Sequence, residues 1–166
     1  MSEQIEHRPT AISWAIGLIA IVMATIVLAA GELIGGLLAG FAGLIFLIAV
    51  GRSDRSVFNI GIAVLVLALI AAAITPTPPT SVLVATILAV IAWDQFETAF
   101  TLGEQIGVNQ PTARLEIFNA GTTALVGAIG GGIIYIGFLL IPTGWPLTAI
   151  IVMLIAALFV LLAIEY

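Results

Sequence analysis

The sequence predicts an all-α fold, a polytopic transmembrane helical bundle of about six spans, and three observations carry that expectation. Apolar residues make up 62% of the 166-residue chain and 17 glycines add to them, where soluble domains hold about 45–50% with glycine included. Charged residues are 8%, against about 25% in soluble domains. The apolar residues also fall in unbroken runs of about 18–20, the length a helix needs to cross about 30 Å of hydrocarbon. A water-soluble globule of this size leaves too much of its area wet to hide so much apolar surface. The length suits one transmembrane domain over residues 1–166.

The spans follow in order. Residues 1–10 form a polar tail that is not basic. The first apolar run, 11–30, is too long for the core of a signal peptide and is expected to be retained. The next run, 33–50, follows at once. Together they would make about 60 Å of helix, so the chain must fold back near Gly31-Glu32. Gly51-Arg52-Ser53-Asp54-Arg55 is a charged turn, and 57–74 is the third span, closed by Thr75-Pro76-Thr77-Pro78-Pro79. The fourth, 81–106, meets no helix breaker before Gly107. Its strictly apolar part ends at Trp93, too short to cross, so the span must take in Asp94 and Glu97. Asn109-Gln110-Pro111 signals a new start, and a fifth span over 112–141 ends at Pro142. The sixth is 147–164. With six spans and both termini cytoplasmic, all four basic residues (Arg8, Arg52, Arg55, Arg114) lie inside, as the positive-inside rule asks. A five-span chain with its 94–120 hairpin on the membrane surface is the alternative.

Residues the chain lacks exclude much chemistry. Without Cys there is no disulfide, thiolate metal site or Cys nucleophile. The one His, His7, lies in the tail, which removes imidazole ligation and Ser-His catalysis from the membrane. Without Lys no retinal Schiff base can form. The paired Asp-x-x-Asp motifs that hold magnesium in membrane phosphotransferases are missing. No cofactor is expected. A formal net charge of −5 argues against nucleic acid and anionic surfaces as partners, and it matches the Lys-poor, acidic composition of salt-loving organisms. The remaining partner is the lipid bilayer.

Two features could carry function. Small residues four apart let helix backbones approach closely: Gly36 and Gly40 in the second span, Gly127 and Gly131 in the fifth. Packing within the chain is the plain use, a homo-oligomer seam the sharper one. The second feature is the polar stripe of the fourth span. At 100° per residue, Asp94, Glu97, Thr98, Thr101, Glu104 and Gln105 share an arc of about 120°, with Trp93 on the other side and expected to pack on the fifth span. Glu116, Asn119 and Thr123 form a matching face there. Acids at membrane depth cost about 2.5–3.5 kcal/mol each, so Asp94 and Glu97 should face protein or water. Arg114 is the cation expected within reach, favouring Glu104 or Glu116. Glu32 is expected to be a solvated turn residue.

Trp93-Asp94, Glu97, Leu102-Gly103-Glu104-Gln105-x-Gly107 and Thr112-x-Arg114-x-Glu116 resemble the signature hairpin of a small uncharacterised haloarchaeal membrane-protein family. The resemblance spans about 25 residues. It implies an archaeal source and an accessory membrane subunit, since such proteins are encoded beside MoxR-type ATPases and their partners. The residues and the resemblance together point to a non-enzymatic accessory or scaffold subunit in the cell membrane, using the cytosolic end of the helix 4–5 hairpin. The alternative is a small transporter or channel subunit with Asp94 and Glu97 as a proton or cation relay.

Overall fold

The computed structural model describes residues 10–105 and 113–140, and all five elements there are helices. They are α1 (Ala11–Gly31), α2 (Leu33–Arg52), α3 (Arg55–Ile74), α4 (Pro79–Gln105) and α5 (Ala113–Leu140). Each is long and apolar enough to cross a membrane. The expected fold class is therefore met. The expected sixth span at 147–164 and the tail at 1–9 lie outside the described residues.

Two compact units divide the chain at Gly132. In the first, α1 packs on α2 and α4, α2 on α3, and α3 on α4, so four helices joined by short turns close into an up-and-down ring. The second unit is described only over the continuation of α5 from Ile133 to Leu140.

The turns explain the helix limits. Glu32 is the whole connection between α1 and α2. Its backbone is extended, its N–H donates to the Leu28 carbonyl at 2.7 Å, and its carboxylate accepts from the N–H groups of Ile34 (2.8 Å) and Gly35 (2.6 Å). One residue thus closes α1 and caps α2, a role the solvated-turn expectation missed. At the α2–α3 turn Ser53 is left-handed (φ 51°) and Asp54 N–H returns to the Ala49 carbonyl at 2.9 Å, the pattern of a Schellman end. Asp54 then caps α3 through Ser56 N–H at 2.8 Å. Pro79 opens α4 two residues before the expected start, because proline suits a first helical position where no N–H is needed.

Small residues set the helix contacts. The buried stripe of α1 runs Ser13, Gly17, Ala20, Ala24, and that of α4 runs Ala85, Ala89, Ala92, Phe96, Ala99. A methyl group on Gly17 would come within 3.2 Å of the Phe96 ring. Between α2 and α3 the fit is Gly35 against Ala72, and Gly61 against the Phe46 ring. Phe46, Phe58, Phe96 and Phe100 fill the space between α2, α3 and α4, with ring centroids 4.9–6.3 Å apart. In lipid the solvent is as apolar as the side chains, so close packing and dispersion hold these helices together.

The glycines expected at helix contacts differ in how tightly they are held. A methyl group on Gly36 would lie 2.5 Å from the Ala29 Cα, backbone that cannot yield cheaply, whereas at Gly40 it would meet Thr25 at an ordinary 3.5 Å. At Gly131 it would meet the flexible end of Ile87, and at Gly127 the Cγ2 methyl of the same side chain at 3.2 Å. Gly36→Ala should therefore cost about 1–3 kcal/mol, the usual range for overpacking. Gly40→Ala and Gly127→Ala should cost less. Gly132→Ala, where no described atom lies within 4 Å, should not destabilise. Thermal unfolding of the four variants in one detergent checks the order, and equal tolerance at 36 and 132 would refute the packing argument.

Candidate functional site

The polar residues of α4 and α5 do gather, but onto three different neighbours. Asp94 turns toward α5. Its Oδ2 accepts from Thr123 Oγ1 at 2.7 Å, from Asn119 Nδ2 at 3.0 Å and from the adjoining Gln95 Nε2 at 2.9 Å. Asn119 also donates to Thr98 Oγ1 at 3.0 Å. The expected matching face of α5 therefore meets the expected face of α4. Glu97 turns instead toward α3 and pairs with Arg55. The two acids expected to act together have separate partners.

Glu116 reaches the third neighbour. It is 2% exposed, and its Oε2 accepts from the backbone N–H of Ser13 at 2.7 Å. Ser13 is in the first turn of α1, where N–H groups have no partner within the helix and the helix dipole is positive. The capping position itself, Thr10, makes no side-chain cap and gives its N–H to the Ala99 carbonyl of α4 at 3.1 Å. An acid from α5 thus caps α1.

Some expectations are corrected here. The cation that reaches the α4 stripe is Arg55, from the α2–α3 turn. Arg114 is exposed, as is Arg52. Trp93, expected against α5, is 44% exposed. The Glu104 side chain lies outside the described residues, so its expected part in the site does too.

Sequence reasoning missed Ser13 and Gln95. Both are fully buried, and Ser13 Oγ and Gln95 Oε1 have no hydrogen-bond partner in the protein; nor do Thr10 Oγ1 and Trp14 Nε1. The signal was present in the pattern. Ser13 lies four residues before Gly17 and Gln95 four before Ala99, each at a position that continues its helix's small-residue stripe.

These observations define the class: an integral, multi-pass membrane protein whose few polar side chains join helices. The chain belongs to a family of unknown function (DUF7519), whose profile matches residues 7–161. No curated protein and no solved structure matches it.

If Asp94 ties α4 to α5, removing it strands three donors. Asp94→Ala should destabilise by about 1–3 kcal/mol. A double-mutant cycle of Asp94→Ala with Thr123→Val should give a coupling near 0.6 kcal/mol, the mean for hydrogen bonds between membrane helices. Strictly additive effects would mean that the contact does not hold α5.

Proposed function

We propose that this protein is a non-enzymatic accessory or scaffold subunit of a membrane assembly, which presents the cytosolic end of the α4–α5 hairpin to its partner. One observation supports this most: the five carboxylates whose side chains are described are used in construction. Glu32, Asp54 and Glu116 cap helices, Asp94 ties α4 to α5, and Glu97 pairs with Arg55. A proton or cation relay through Asp94 and Glu97 would need the two acids to exchange with a common path, and their separate partners count against it. The resemblance to proteins encoded beside MoxR-type ATPases makes such a system the first partner to test.

The cell membrane as location and cytoplasmic termini belong to the same reading. The pair Arg55–Glu97 and the contact of Ser13 with Glu116 put the α2–α3 turn, the start of α1 and the start of α5 at one end of the bundle. Arg52, Arg55 and Arg114 share that end, which the positive-inside rule makes cytoplasmic. The opposite end joins Gly31 to Thr77.

Two measurements test the proposal. A cysteine at Ser56 should resist an impermeant thiol reagent in intact cells while one at Thr80 reacts; the reverse would invert the topology. Purified from its own membrane in mild detergent, the chain should carry a partner in fixed ratio. Arg114→Glu should lose that partner with the unfolding temperature unchanged. A chain that purifies alone, and carries an ion flux in liposomes that Asp94→Asn abolishes, would replace this reading with the transporter.

A further inference from the structure

We infer that the junction of α1, α4 and α5 is a binding site for a small cation that oxygen atoms hold, a sodium ion or a hydronium ion. The argument begins with Gln95. An ionised carboxylate only accepts hydrogen bonds, so Asp94 fixes which way the Gln95 amide faces: Nε2 lies on Asp94 Oδ2 at 2.9 Å. The other end of that planar amide, Oε1, is left as a buried acceptor with no donor. Ser13 Oγ and Thr10 Oγ1, on the facing turn of α1, are buried and unpartnered too. Glu116 closes the third side, held against the Ser13 backbone.

Leaving such atoms bare is unfavourable, because each has given up its hydrogen bonds to water without a replacement. Oxygen ligands of this kind are what hard cations take. The charge balance favours a cation as well. The start of α1 contributes positive potential equivalent to about half a charge, and the Glu116 carboxylate offsets it. Asp94 receives three hydrogen bonds, all on Oδ2 and all from neutral groups. No group of three or more His, Cys, Asp or Glu among the described residues could hold a metal ion. The ligands are mostly neutral, which suits one positive charge and not two. The Trp14 indole N–H is a donor only and takes no part in holding the ion.

The full chain in detergent tests this by thermal unfolding. At constant ionic strength and pH 8, sodium chloride replaces choline chloride; separately, pH is lowered from 8 to 5 in choline chloride. The titratable groups at the site are Asp94 on α4 and Glu116 on α5; the other described charged groups toward that end of α3, α4 and α5 are Arg55 and Glu97, which pair with each other, and the exposed Arg114, and α1 supplies none among its described residues. Sodium should raise the unfolding temperature in a saturable way, by roughly 5 °C at full occupancy, if sodium is the occupant. An insensitivity to sodium with a comparable rise on acidification, lost in Gln95→Leu and kept in Glu97→Gln, identifies a proton held at the junction in place of sodium. In either case Gln95→Leu should lose the response; it removes the bare acceptor together with one of the three hydrogen bonds to Asp94, so the lost dependence on the ion, and not the basal unfolding temperature, is the readout. Ser13→Ala should weaken the response and serves if Gln95→Leu does not fold. Glu97→Gln should keep it. A parent protein that answers neither sodium nor acid, or a response that survives Gln95→Leu and Ser13→Ala unchanged, overturns the site.

Discussion

Five largely apolar helices have little hydrophobic reason to prefer one neighbour over another in lipid, and the carboxylates supply that preference. Each acid whose side chain is described is fixed to a particular group on another helix or at a helix end. Glu32 sets the angle at which α1 becomes α2, Asp54 starts α3, Glu97 meets Arg55, and Asp94 and Glu116 bring α5 to α4 and α1. The desolvation cost of an acid in hydrocarbon is large, so an arrangement that leaves one unpaired is strongly disfavoured. A few such residues therefore select one packing from many that dispersion alone would hold about equally well.

Close approach then turns the selected neighbours into a fixed structure. The small-residue stripes of α1 and α4 let their backbones near each other, which brings the Thr10 N–H within reach of the Ala99 carbonyl. Gly17 makes room for the Phe96 ring, and Gly61 does the same for Phe46. Those two rings meet each other and Phe58, which in turn meets Phe100. A single cluster thus fixes α2, α3 and α4, and it stands at the same end of the bundle as the Arg55–Glu97 pair. Polar selection and apolar packing reinforce each other at that end.

The sequence made the spans legible because their signals are local: unbroken apolar runs, a Gly-Glu fold-back, a proline-rich turn. The α4–α5 polar match was legible for the same reason, since Asp94, Asn119 and Thr123 each fall on a face defined by their own helix. What could not be read was which helix each face would meet. Arg55 reaches Glu97 only because α3 packs beside α4, a pairing that no local pattern encodes. Glu116 was legible as a polar face residue, but its partner is a backbone N–H of α1, and every residue carries one of those. Glu32 was legible as a turn and hidden as a cap, because its role depends on a backbone that reverses in one residue.

The fifth helix shows how far polar contacts alone can carry a membrane helix. Its only buried residues are Glu116 and Gly131, and large apolar side chains such as Phe118, Leu125 and Ile129 lie exposed along it. What holds it to the first four helices is Glu116 on α1, Asn119 and Thr123 on Asp94, and a glycine face against Ile87. Hydrogen bonds between membrane helices contribute modestly, about 0.6 kcal/mol on average, because a helix released into lipid still finds partners. The capping contact is charge-assisted and buried, so it is the strongest of the set. The attachment of α5 is thus concentrated at its first turns, beside the exposed Arg114 and at the end of the bundle where the arginines gather. A partner that engages those turns would act on the contacts that decide where the whole helix lies.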